Sequence, residues 1–280
     1  MRALKISAIS FLNTVPLMWD FEHDPSQEIR DNFEIEYTVP SQCAQALREG
    51  RADLGIIPVI TTATIPGLVV LPEVAIAALN QVWSIQLISR VPIEQIRTVA
   101  VDTSSRTSVG LTQVLLTKFY GGPRELTPMP PMLGPMLEAC DAGLLIGDSA
   151  MMADTTGLYH YDLAELWRQK TGLPFVFAVW TVRRAALDEM KPGLDLASIF
   201  RRSRDHGLRE ENVVRIAAEW APKMRLSEVQ IVRYFRENIH YELDANCRKG
   251  LSLFFQLAAE CKMIERAPEL EYLVVEHIAK

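Results

Sequence analysis

The chain has few of the signatures that usually announce a function. No run of about 18 apolar residues occurs among its 280 residues, so no membrane-spanning helix is expected. Walker A, GxGxxG and GxSxG patterns are all missing. Sequence support for P-loop, dinucleotide-fold and α/β-hydrolase chemistry is therefore absent. The four cysteines, Cys43, Cys140, Cys247 and Cys261, form no CxxC pair and match no zinc spacing. They read as small buried hydrophobes, with Cys247 and Cys261 on the apolar stripe of one helix. The five histidines, His23, His160, His206, His240 and His277, are scattered, so no metal site and no cofactor is expected. Long basic runs are absent and the net charge is -6, so nucleic acid is not an expected partner. A local site can still oppose that global sign and take an anion. At the N-terminus, Arg2 and Lys5 accompany the apolar stretch ISAISFL, which is short and broken by Asn13 and Pro16. No small-residue cleavage site follows, so this start reads as the first strand of a cytoplasmic protein rather than a signal peptide.

What is present is ordinary globular chemistry in an alternating pattern. Hydrophobic residues make up 49% and charged residues 23%, enough for one large or two medium domains with their own cores. LKISAIS (4–10), FEIEYTV (33–39) and ADLGIIPVI (52–60) predict strands. Between the last two, SQCAQALREG predicts a helix with Ser41 as N-cap and Gly50 at C′. Strands separated by short helices predict parallel βαβ units. Further strands are predicted at 82–89, 97–102, 142–146 and 174–182, with a helix through Leu111, Val114, Leu115 and Phe119. PMPPMLGP (128–135) reads as a proline-rich loop. The residues after 182 are mostly helical: Ser227 and Gln230 form a capping box, and Asp244 caps a final amphipathic helix. They are read as packing material without chemistry. No floppy linker separates the halves. Two α/β lobes joined by extended crossings, the strands at 82–89 and 174–182, reconcile these facts. Residues 1–88 and 182–280 are assigned to the first lobe and 89–181 to the second.

Ligands of open α/β sheets bind beyond the carboxyl ends of the strands. Four strand exits here carry similar residues. The first, within SFLNTVPL, offers Ser10, Asn13 and Thr14. The second offers Ser41; the third, Ser104, Ser105, Arg106 and Thr107; the fourth, Gly147, Asp148 and Ser149. Three of the exits lead straight into helices, whose N-termini carry free N–H groups and partial positive charge. Any one hydroxyl is explained as a helix cap, but four exits and an arginine in SSRTS exceed what capping requires. A cleft between two lobes, holding a small carboxylate-bearing molecule, is expected. Arg106 is either a carboxylate ligand or a surface residue. Asp148 either orients a ligand hydroxyl or ties down its own turn. No strong protein base or nucleophile stands out, which favours a substrate already poised to react.

Five stretches carry a resemblance: SFLNTVPL, PSQCAQALREGRADLGIIP, SIQLISRVP, VAVDTSSRTSVGLTQVLL and DAGLLIGDSA. Taken in order, from about residue 4 to residue 150, they resemble the chorismate dehydratase family of the futalosine route to menaquinone. The resemblance implies a fold like the type II periplasmic binding proteins, with two lobes closing on a ligand and C-terminal helices packed on the first lobe. It implies a hydro-lyase reaction without a cofactor: chorismate, a dicarboxylate with one ring hydroxyl, loses water to give 3-[(1-carboxyvinyl)oxy]benzoate. The ring proton at C3 and the C4 hydroxyl depart and the product is aromatic, so orientation and charge placement are the main demands. In that setting Asn13 is the candidate catalytic residue; its plainer role is a helix N-cap. Ser10, Thr14, Ser41, Ser84, Ser104, Ser105, Arg106, Thr107, Gly147 and Asp148 are the candidate substrate-binding residues, Ser84 being the first residue of SIQLISRVP. The expected base is the substrate's own enolpyruvyl carboxylate. Two alternatives share the fold. A 1,4-dihydroxy-6-naphthoate synthase of the same pathway should carry another N-terminal motif and a histidine near its site. A small-carboxylate solute-binding protein should carry an export signal or a lipidated cysteine.

Overall fold

The computed structural model describes residues 2–102, 104 and 106–274. Within them the chain builds two mixed β-sheets with helices packed against them. Strands β1 (Leu4–Ile9), β2 (Phe33–Thr38), β3 (Leu54–Pro58) and β4 (Leu68–Ala78) begin the first sheet. Strands β5 (Ile85–Ser89), β6 (Thr98–Val101), β7 (Glu125–Pro128), β8 (Ala142–Ile146) and β9 (Tyr159–Asp162) form the second, in the order β7-β6-β8-β5-β9. The chain then returns, adding β10 (Phe175–Arg183) and β11 (Glu271–Tyr272) to give a first sheet ordered β11-β4-β10-β3-β1-β2. This is the two-lobed α/β class the sequence pattern predicts.

The parallel core of the first sheet follows from its apolar runs. Ile6 of β1 sits opposite both Ile35 of β2 and Leu54 of β3. All of β3 is buried, as befits a strand covered on both faces. Gly55 lets the helix Pro40–Arg48 lie close, since a Cβ there would stand 2.8 Å from the Cys43 sulfur. Strand β10 runs antiparallel to β3 and β4, because the chain enters it from the other sheet.

The crossings differ from the expected ones. Strands β5 and β10 each lie wholly within one sheet, and the chain changes sheet at 79–84 and 163–174. Asp162, 8% exposed, is shared by both crossings. Its carboxylate accepts from the backbone N–H groups of Val82 and Trp83 in one crossing. It also caps the helix Leu163–Thr171 of the other, through Ala164 and Glu165. Burial raises this carboxyl above its ordinary range, and those N–H groups work against the rise.

The sequence pattern assigns no element to 68–78, where the structure has an 11-residue strand. Pro72 and the left-handed Glu73 (φ 66) interrupt the strand, and its register with β10 shifts twice. Such a bulge hides the period-two signal. Strands β7 and β9 were equally hidden by having four residues each. Within the stretch read as a proline-rich loop, the helix Leu133–Ala139 begins.

The C-terminal helices pack back onto the start of the chain. The helix Leu196–Gly207 lies so close to the 3-10 segment Leu12–Met18 that a Cβ on Gly207 would fall 2.1 Å from the Pro16 carbonyl oxygen. Ser203 Oγ donates to the Leu17 carbonyl at 2.8 Å and accepts from the Asp20 N–H at 3.0 Å. This clamp fixes the exit of β1.

Candidate active site

At the exit of β1 the backbone and the side chains divide the work. Phe11, not Asn13, flanks the segment Leu12–Met18, and no side chain caps it. Asn13 is therefore not an N-cap. Thr14 is 2% exposed and its Oγ1 lies 2.5 Å from the Ile9 carbonyl and 2.7 Å from that of Phe11. Its proton is committed to its own turn. The carbonyl of Asn13 accepts from the Tyr241 hydroxyl at 2.8 Å. That leaves the Asn13 side chain, whose Oδ1 is buried without a partner. An unpaired buried acceptor costs about 1–3 kcal/mol and calls for an explanation.

The opposite wall comes from Ser84, at the end of the crossing 79–84, and from the exit of β8. Ser84 is fully buried, its Oγ accepts from the Tyr234 hydroxyl at 2.9 Å, and its carbonyl accepts from Gly147 N–H at 2.7 Å. Gly147 adopts φ +56 against the Phe11 ring, where a Cβ would stand 3.3 Å away. Asn13, Ser84 and Gly147 thus line one narrow cleft, with Phe11, Ile76, Ile85 and Phe177 as apolar wall. A few polar atoms in an apolar cleft between lobes is the usual form of a small-molecule site. Burial pushes the Tyr234 phenol far above its usual range, so it stays a neutral hydroxyl. Burial also raises the Asp148 carboxyl, opposed by the Leu12 N–H that it accepts.

The remaining candidates stand elsewhere. Ser41 is half-buried in the first turn of its helix; Val39 is the N-cap and Pro40 takes the first position. Proline suits that place because its missing N–H would have no partner there. Ser10 is exposed, and it lines a separate groove with Thr14, Tyr37, Trp220 and Lys223. At the third exit, Ser104 N–H donates to Asp102 Oδ1 at 2.9 Å, and Ser105 lies outside the described residues. Arg106 is exposed at the start of the helix Arg106–Phe119 and has no hydrogen bond or ion pair among the described residues. Thr107 is fully buried, and its Oγ1 accepts from Ile60 N–H of the first lobe at 3.3 Å.

Sequence reasoning missed Tyr234 and Tyr241. The available signal was a tyrosine within an apolar helical stripe, since a buried phenol must find a hydrogen-bond partner. It also placed no metal-like cluster, whereas the fold brings ligand atoms of His240, Asp244 and Cys247 within 4.8 Å of one another. That carboxylate is already satisfied: Asp244 accepts from the N–H groups of Asn246 and Cys247 at 2.8 Å, and from His240 Nε2 at 3.0 Å. The cluster is a helix cap. A wider concavity around Arg2, Lys5 and Asp53 lies at the opposite ends of β1 and β3. There, burial acts to raise the Asp53 carboxyl, but Arg2, the Lys5 N–H and Arg183 hold it down at about 2.

Known proteins resemble this arrangement at two levels. The chain is similar to protein AF1704 from Archaeoglobus fulgidus, with a TM-score of 0.69 at 16% identity over 94% of this chain and 99% of that one. It is similar to the periplasmic aliphatic sulphonate binding protein SsuA from Escherichia coli, with a TM-score of 0.63 at 15% identity over 100% and 96%. At such identities these likenesses show the fold, which is that of periplasmic binding proteins. In sequence, the chain is 29% identical to the chorismate dehydratase of Thermus thermophilus over 242 residues, 80% of this chain and 86% of the relative. Residues 4–260 match the family model for menaquinone biosynthesis, and the chain belongs to that family.

Proposed function

We propose that the chain is a chorismate dehydratase, a hydro-lyase that converts chorismate to 3-[(1-carboxyvinyl)oxy]benzoate and water. One observation carries the site assignment: Asn13, whose buried Oδ1 has no partner, lines a cleft together with Ser84. Asn13 Oδ1 accepts the hydrogen of the substrate's C4 hydroxyl and fixes its orientation. Ser84 has its Oγ acceptor position filled by Tyr234, so its own proton is free to donate to that same leaving oxygen. The substrate's enolpyruvyl carboxylate takes the C3 proton. The C3–H electron pair becomes the new ring double bond, the C4–O pair leaves with oxygen, and the abstracted proton completes water. Aromatisation drives the step, so holding the hydroxyl and the carboxylate in place supplies most of the catalysis. The ring carboxylate faces the third exit, where exposed Arg106 and the helix start offer positive charge. The apolar wall of Phe11, Ile76, Ile85 and Phe177 keeps bulk water from the ring.

Incubating purified protein with chorismate tests this directly. Absorbance should report an aromatic product, and mass spectrometry a species lighter than the substrate by one water. Binding of chorismate without any such product would reject the assignment and favour a solute-binding role.

A further inference from the structure

The buried carboxylate of Asp162 gathers five donors, and three of them flank Ser84. Its Oδ1 accepts from the N–H groups of Ala164 and Glu165 at 3.0 and 3.1 Å, which caps the helix Leu163–Thr171. A cap requires no more than that. Its Oδ2 is spent elsewhere, on the Val82 N–H at 3.0 Å, the Trp83 N–H at 2.6 Å and Gln86 Nε2 at 2.9 Å. The same Gln86 amide donates to the Trp83 carbonyl at 3.1 Å. Asp162 and Gln86 therefore hold both backbone polar groups of Trp83. Trp83 stands in the left-handed region at φ 61, which a bulky residue adopts only where its surroundings impose it. Successive N–H groups aimed at one point form a concavity that suits an anion. Here the anion is the protein's own, and it enforces the turn.

Ser84 follows directly. Its N–H donates to the Val82 carbonyl at 2.7 Å, and its carbonyl accepts from the Gly147 N–H at 2.7 Å. Ser84 and Gly147 both line the cleft, whereas Asp162 lines a separate hollow with Gln81 and Glu165. We propose that Asp162 is a positioning residue: through Oδ2 it holds Trp83 left-handed and so fixes Ser84 in the cleft wall. It acts through Ser84 rather than on substrate. The proposal rests on the assignment of Ser84 to the dehydration. Without the carboxylate, Trp83 relaxes from the left-handed region and the Ser84 carbonyl draws away from the Gly147 N–H.

Asp162→Asn separates the two duties. Its amide oxygen can still cap the helix, while its NH₂ group meets the Trp83 and Gln86 donors in place of Oδ2. We expect kcat on chorismate to fall about tenfold or more, with KM within about threefold of wild type. In the Ser84→Ala background the same substitution should cost about twofold or less. Wild-type kcat in Asp162→Asn, or losses that multiply in the double variant, would overturn the proposal. Gln86→Met serves if Asp162→Asn does not fold. It removes the amide that ties Oδ2 to Trp83 and leaves the cap untouched, and its kcat loss of about threefold should likewise vanish in Ser84→Ala. A second readout needs no turnover. In hydrogen-exchange NMR of the free protein, either variant should lower protection of the Gly147 amide about tenfold and leave the amides of β3 within about twofold of wild type. Unchanged Gly147 protection, or an equal loss in β3, contradicts the proposal whether or not chorismate is a substrate. A wild-type protein that leaves chorismate unchanged rejects the reaction, and Gly147 then decides the positioning alone.

Discussion

The exits of β1 and β6 carry much the same kind of side chain, yet among the described residues only the β1 exit leaves a buried polar atom without a partner. After β6, Thr107 is fully buried and its hydroxyl oxygen accepts from Ile60 N–H of the other lobe. Ser104 N–H goes to Asp102. Those groups join lobe to lobe and close a turn. After β1, Thr14 is spent in the same manner, on Ile9 and Phe11. Asn13 beside it is not, and its Oδ1 stays buried without a partner. On the proposed assignment, Asn13 is the reacting group because the fold satisfies the polar groups around it and leaves that one atom open. The C-terminal part of the chain does this at β1 through Tyr241 on the Asn13 backbone and Gly207 against Pro16. Among the described residues no hydrogen bond or ion pair holds the exposed Arg106 side chain in this way.

Substitutions at the two exits should therefore fail in different ways. The largest effect is expected from Asn13→Ala, which should lower kcat on chorismate about 100- to 1,000-fold, as loss of one preorganised polar group does elsewhere. Steady-state kinetics check this, and a loss under about tenfold would erase the distinction between the exits. Thr107→Val is next. It strands the Ile60 N–H, so denaturant unfolding should show a loss of about 1–3 kcal/mol, while the folded fraction keeps its specific activity. A loss of activity with unchanged stability would move chemistry to β6. Arg106→Ala should raise KM for chorismate about tenfold and leave kcat alone, since an exposed cation contributes to binding the ring carboxylate in ground and transition states alike. A fall in kcat at constant KM would contradict that role.

The smallest effect compares two carboxylates by pH, buried Asp53 and half-buried Asp148. Asp53 is held down at about 2 from an ordinary 3.8, so its contribution to stability is present above the ordinary value and lost as pH falls toward 2. Asp148 is raised by burial, so its protonated form is favoured in the fold. Its contribution is present below 3.8 and lost as pH rises through the folded value. Unfolding midpoints should then show Asp53→Asn weakening the protein most near neutral pH and flattening its acid limb. Asp148→Asn, which retains an acceptor for Leu12 N–H, should slightly strengthen the protein near neutral pH. A destabilised Asp148→Asn would mean that the charge itself stabilises the fold there.

The periodic parts of the fold were legible in the sequence. Apolar runs marked β1, β3 and β8, Gly50 ended its helix in the left-handed conformation, and Ser227 with Gln230 made the capping box. Strand β4 was not legible, because Pro72 and the left-handed Glu73 break its alternation and only the pairing with β10 restores it. At the cleft, residue types pointed to Asn13, but they did not separate it from Thr14, Ser41 or Thr107. Which hydroxyl is spent depends on partners such as Ile9 and Ile60, and local spacing does not encode those bonds. Tyr234 lay furthest from view. It looks like one more aromatic of a helical stripe until the chain folds back and sets its hydroxyl against Ser84, 150 residues away in sequence.

The most direct test is a crystal structure of the protein with chorismate or its aromatic product bound. The ligand should lie among Asn13, Ser84 and Gly147, with an oxygen within hydrogen-bonding distance of Asn13 Oδ1. A ligand seated instead in the groove of Tyr37 and Trp220, with Asn13 Oδ1 still unpaired, would contradict the account.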